Sequence, residues 1–141
     1  MLKTGQLILT LAIVAILIIG GYFINLYQNI PIVAKVISAE ACGEGEIGMY
    51  LVGNTIKNRV MLDNKTPYQV VTARNQYAGL NNPNRDALYQ RCNTFSNMLS
   101  IELMSLPDLT DGALYFKRPE EERKPWHKTL TVTYKNHEFY K

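Results

Sequence analysis

Residues 36–60 read VISAEACGEGEIGMYLVGNTIKNRV. The stretch opens as an apolar run interrupted by one carboxylate, Glu40, between Ala39 and Ala41. Gly43 and Gly45 follow, and then a second apolar run begins. In that run Met49, Val52, Ile56 and Val60 recur at spacings of three and four, which predicts an amphipathic helix from Gly45 to Met61. Glu44 and Glu46 complement the positive end of its dipole. Two helices meeting at a glycine break would thus form the heart of the domain, with an acid close to the end of the first.

Upstream, Pro31 suits the first turn of a helix running to about Cys42, with Gly43 at its end. Before it, Leu7 to Ile24 reads LILTLAIVAILIIGGYFI, and no charged residue occurs between Lys3 and Lys35. Roughly 20 apolar residues at about 1.5 Å each cross a bilayer core as a helix. A buried helix apolar all round would need a much larger protein to surround it. A cleaved signal peptide is the competing reading, but the run is longer than an h-region and large residues follow where small ones are cleaved. We therefore expect residues 1–30 to be a transmembrane anchor with a short polar link, NLYQN. Lys3 and the terminal amine would lie in the cytoplasm, opposed by Lys35 at the other end, and Tyr22 and Tyr27 at the outer interface. Residues 31–141 would be the soluble domain, outside the cytoplasm.

Downstream, TPYQVV predicts a short helix with Thr66 as cap and Pro67 in the first turn. GLNNPN is dense in turn formers. Asn84 then caps a helix to about Ser105, with Leu88, Cys92, Phe95, Leu99 and Leu103 on one stripe. ALYF, LTVTY and KNHEFY predict a small antiparallel β element near the C-terminus. The fold class is α+β, mainly α. A net charge of +3 on 141 residues gives no footprint for nucleic acid. His127 and His137 form no metal motif with the two cysteines.

A carboxyl in apolar surroundings is hard to ionise, so its pKa rises. Such a group can protonate a leaving oxygen, which glycoside cleavage requires. Periodicity alone leaves a simpler alternative, that Glu40 is the polar edge of an amphipathic helix.

The blocks AEACGEGEIGMYLVGNTIKNRV, NQYAGL, GALYFKRP, PW and NHEFYK occur in order across residues 33–141. Together they resemble the SleB-type cell wall hydrolases, the spore cortex-lytic enzyme family. The matching positions are Glu40, Ala41, Gly43, Glu44, Gly48, Asn58 and Arg59, then Gln76 and Tyr77. In the C-terminal block they are Gly112, Ala113, Tyr115, Phe116, Pro119, Trp126, His137 and Phe139.

The resemblance implies a lysozyme-like, lytic-transglycosylase-related fold that cleaves the MurNAc–GlcNAc bond of peptidoglycan, with Glu40 as the single acid/base. Gln76, Tyr77, Tyr115, Asn58 and Trp126 are candidate substrate-binding residues. Each also has a structural reading: a loop anchor, a core strand, a plug beneath the C-terminal block, or a helix end. Arg59 would orient Glu40 or cap carbonyls, and His137 would be a hydrogen-bonded structural residue. Cys42 stands where the spore enzymes often carry Arg. With Cys92 it could form a disulfide in an exported domain, or the two could be buried thiols. No metal and no cofactor is implied. The expected partners are peptidoglycan glycan strands and, through residues 7–24, the membrane; the chain is expected to be a monomer. A phage lysis or entry enzyme and a bacterial wall-remodelling enzyme would both read this way; the alternative function is an inactive peptidoglycan-binding or membrane-associated interaction module.

Overall fold

The computed structural model describes residues 4–141, apart from the side chains of residues 25–28. Lys3 and the side chain of Tyr27, used above to orient the anchor, therefore lie outside the described residues. The described residues are mainly helical with a small three-stranded sheet. In chain order the helices are α1 (Thr4–Ala41), α2 (Gly45–Asp63), α3 (Pro67–Thr72) and α4 (Arg85–Glu102). The strands are β1 (Tyr115–Lys117), β2 (Leu130–Tyr134) and β3 (His137–Tyr140).

The expected helix start at Pro31 is corrected, because α1 runs unbroken through Pro31 and the segment NLYQN is helical. A proline forgoes one backbone bond and crowds the preceding turn. It does not by itself force a start, and no glycine lies between Tyr22 and Ala41 to end the helix earlier. The one helix has two kinds of surface. From Leu7 to Ile24 its large apolar side chains are exposed, whereas Val33, Ala34, Val36, Ile37 and Ser38 are buried. The first part is long and apolar enough to cross a membrane, a property that a signal sequence shares.

The second part of α1 enters the core beside α2, whose stripe Met49, Val52, Ile56 and Val60 is buried in full. Val70 and Val71 of α3, Leu99 of α4, Leu103, Ala113 and Phe139 complete the cluster. Thr66 caps α3 by accepting from the Gln69 N–H, and the Gln69 side chain accepts from the Thr66 N–H in return. This reciprocal pair satisfies two otherwise orphaned donors. Asn84 flanks α4 without a side-chain capping bond. The sheet is antiparallel in the order β1-β3-β2, with Phe116 opposite Phe139.

Between α1 and α2 the chain reverses through a single 3-10 turn, Cys42–Glu44. Gly45 has φ +81°, a left-handed conformation that favours glycine. Cys42 and Cys92 form a disulfide that ties this turn to α4 across 50 residues of chain. Closing a loop of that size stabilises a domain by about 2–4 kcal/mol. Reduction should therefore lower the melting temperature of the chain under otherwise identical conditions. Unchanged melting after complete reduction, checked by thiol titration, would show that the bridge contributes nothing.

Candidate active site

A cleft of about 1190 Å³ lies between the end of α1, the segment 75–83 and the β1 strand with the loop that follows it. Glu40 forms part of its wall, near the C-terminal end of α1. The carboxyl is half-buried, and its Oε1 accepts a hydrogen bond from the Gly79 N–H. Burial pushes the Glu40 pKa above the usual carboxylate range. The Gly79 bond and the Arg118 charge pull it down, and Glu121 pushes it up, without cancelling the effect of burial. The group is thus biased towards its protonated form while still open to a cleft, as a proton donor must be.

Gly79 belongs to a short 3-10 turn, Ala78–Asn81, pressed against α1. A Cβ at this position would stand 2.9 Å from the Ala39 Cβ and 2.9 Å from the Glu40 Oε1. Only a residue without a side chain lets its backbone N–H approach the acid so closely. The glycines of the turn after Glu40 act otherwise. Neither Gly43 nor Gly45 lines the cleft; they reverse the chain, and the close approach to the acid is made by Gly79.

Of the residues singled out in the sequence, Gln76, Tyr77, Tyr115 and Trp126 all line the cleft with Glu40. Gln76 and Trp126 are exposed there, so Trp126 does not plug the core. Tyr77 is buried, and its hydroxyl is held in the protonated form by that burial, against opposing effects of Arg59 and Thr55.

Asn58 is elsewhere. Its amide donates to Asp108 Oδ2, Thr110 Oγ1 and the Ala113 carbonyl at 3.0–3.1 Å, fastening the loop that leads into β1. Asn54 and Tyr50 hold the same loop through the Pro107 carbonyl. Arg59, the next residue, does line the cleft. Its guanidinium lies 5.6 Å from the Tyr77 ring centre and 5.9 Å from that of Tyr115.

Other lining residues carried little signal in the sequence. Arg118, Glu121, Glu122 and Lys124 belong to the charged loop after β1, whose composition reads only as solvated surface. Buried Lys117 anchors that loop, donating to the Arg118 carbonyl at 3.0 Å while paired with Glu138 at 2.7 Å. His137 corrects the expectation of a hydrogen-bonded structural histidine. It is buried and packed edge-on against Phe116 at 5.1 Å, and its Nδ1 has no partner among the described residues. Burial holds its pKa down, so the ring favours the neutral form. Glu44, expected as a helix-terminus charge, does stand directly before α2; it is also buried and accepts from the Asn136 N–H, joining the start of α2 to the β2–β3 turn. Glu40, Glu44 and His137 share a second, smaller polar recess of about 360 Å³. Among the described residues no group of three or more His, Cys, Asp or Glu side chains is arranged to hold a metal ion.

A mainly helical domain that sets a half-buried acid at a helix end, on the wall of an open cleft lined by aromatic and polar side chains, has the makings of an enzyme acting on a polymer. The chain belongs to the cell wall hydrolase family, whose model matches residues 43–140. The match begins three residues after Glu40, so membership does not itself assign that residue. Searches of curated proteins and of solved structures found no match. Family membership supports degradation of peptidoglycan as the general activity, with peptidoglycan as the substrate.

Proposed function

We infer that the chain is a membrane-tethered enzyme that breaks the MurNAc–GlcNAc glycosidic bond of peptidoglycan as a lytic transglycosylase. The observation that carries this reading is Glu40: a carboxyl with a raised pKa, fixed by the Gly79 N–H, on the wall of the cleft. In its protonated form Glu40 gives its proton to the glycosidic oxygen as the bond to the muramic C1 breaks. The resulting carboxylate then takes the proton of the muramic C6 hydroxyl, whose oxygen closes on C1 to give a 1,6-anhydro ring. One group thus serves as acid and then as base, and the proton count returns to its start. A hydrolase would instead direct a water at C1, commonly with a second carboxylate about 5–9.5 Å from the first.

The helical domain with its small sheet beside the cleft supports a lysozyme-like architecture for residues 31–141. Gln76, Tyr77, Tyr115 and Trp126 would contact sugar rings, by the amide and by aromatic faces. Asn58 would act only by holding the loop before β1. The exposed apolar part of α1 supports a single-pass anchor; the charge of Lys3 and the terminal amine favours the N-terminus in the cytoplasm, with the cleft then facing the wall. A reporter fused after Lys141 should then be active only outside the cytoplasm, with the N-terminus retained. A mature chain lacking its first 25 or so residues would contradict the anchor.

The activity is tested by incubating purified peptidoglycan with the full chain in detergent micelles and separating the soluble products. Glycan fragments with intact stem peptides are expected. Release of free peptides with the glycan strands uncut would reject glycosidic cleavage.

A further inference from the structure

The cleft contains four cations, Arg59, Lys117, Arg118 and Lys124. Lys117 is paired with Glu138 at 2.7 Å and Lys124 with Glu122 at 2.6 Å. Arg118 is exposed on the loop after β1. Arg59 differs from all three. It is half-buried on α2, in the helical core of the domain, and its guanidinium stands within 6 Å of the rings of both Tyr77 and Tyr115. No carboxylate pairs with it among the described residues.

An arginine stays charged at any physiological pH and carries five donors in a planar fork suited to a carboxylate. Aromatic rings hold such a group in place at little cost in hydration, and a hydrogen bond to the neutral Tyr77 hydroxyl leaves the charge of the fork without an anion. A cation kept in one position, partly desolvated and without an internal anion, is preorganised for an anion supplied from outside. Neutral sugar rings offer hydroxyls and acetamido groups, and do not need a charge of this kind.

We propose that Arg59 is a carboxylate-recognition residue that reads the acidic substituent of the glycan, so that the cleft takes carboxylate-bearing strands in preference to neutral ones. The proposal rests on the assignment of the cleft to peptidoglycan and adds which part of that polymer is recognised. Two sources carry the group. One is the lactyl carboxylate of a muramic residue without its stem peptide; the other is a carboxylate of the stem itself. Arg59 belongs to substrate recognition, and it brings the strand into register with Glu40.

The test measures binding rather than turnover, using the full chain in detergent micelles with Glu40→Gln to prevent cleavage. The single tryptophan, Trp126, lies in the cleft and half exposed, so its fluorescence reports occupancy. Four probes are compared: strands stripped of stem peptides, with free lactyl carboxylates; the same strands capped as neutral methylamides; strands with their stems intact; and stem-bearing strands whose stem carboxylates are amidated. Capping is expected to weaken binding by roughly tenfold or more, the scale of a hydrogen-bonded charge. Arg59→Gln should bind capped and uncapped strands alike, and Arg59→Lys should keep part of the difference. If only stem-bearing strands bind in an Arg59-dependent way, the carboxylate read is that of the stem.

On the chain that carries Arg59, capping without effect together with equal binding of stem-bearing strands whose stem carboxylates are amidated would overturn the proposal, even if Arg59→Gln failed to fold. So would an Arg59→Gln loss equal for capped and uncapped strands with a lowered melting temperature, because that describes a packing role. Cleavage of peptidoglycan that ignores neutralisation of both the lactyl and the stem carboxylates would sink the carboxylate reading alone. Capping-sensitive binding by a chain that cuts no glycan would sink the proposed activity alone.

Discussion

Glu40→Gln is expected to lower the rate of peptidoglycan cleavage by roughly 10²–10⁴-fold while the fold survives, the range that general acid–base catalysis by one side chain supplies. Glutamine has nearly the same shape and can still accept the Gly79 N–H, but it cannot release and recover a proton. The loss should fall on kcat, because the side chain acts on the developing charge rather than on binding. The pH dependence follows from the same group. Its pKa is raised in the folded chain, chiefly by burial. Cleavage should therefore persist above the ordinary carboxylate range and decline on the alkaline side as Glu40 ionises. For stability the sign is the reverse of a salt-bridged acid. A carboxyl that holds its proton more tightly when folded favours the fold at low pH, and that advantage is lost as pH rises through the folded pKa. At neutral pH Glu40→Gln should then melt no lower than the wild-type chain, and the difference should close on acidification. A variant that retains most of its activity would remove Glu40 from the mechanism.

Gly79→Ala is expected to be the most damaging change at an uncharged residue. The new methyl would meet Ala39 Cβ and Glu40 Oε1, each at 2.9 Å, and the first is bonded directly to the α1 backbone and cannot swing aside. Either the turn at residues 78–81 retreats or the Glu40 carboxyl is displaced. Crowding of this kind costs about 1–3 kcal/mol in stability. A shift of the acid by a fraction of an ångström to one ångström would lower kcat by on the order of 10²-fold. The expected signature is a fall in kcat larger than the change in melting temperature would explain, measured below the transition. Wild-type kcat with unchanged melting would mean that the Gly79 contact does not position the acid.

The parts of this site that were legible in the sequence are those fixed by local pattern. The α2 stripe, the Thr66 cap and the β element each follow from side-chain periodicity or turn chemistry, and the structure places them as expected. Glu40 stood out because a charge in an apolar run needs a reason. What the pattern could not give is which residues meet across long separations. Gly79 lies 39 residues from Glu40, and NQYAGL reads as an ordinary loop until it is seen pressed against α1. Glu44 reads as a helix-terminus charge and does stand directly before α2, but no local rule gives its partner Asn136, 92 residues away. Pro31 misled in the opposite sense. A helix anchored by packing beyond it can run through a proline that a local rule treats as a start.

The central claim is that Glu40 drives cleavage of the glycosidic bond with the muramic C6 hydroxyl as nucleophile, and digestion of peptidoglycan in water enriched in heavy oxygen tests it most directly. Mass spectrometry of the glycan ends is expected to find 1,6-anhydro-muramic acid carrying no heavy oxygen, and no such ends with Glu40→Gln. Reducing ends that carry one heavy-oxygen atom would show that water attacks, contradicting the account.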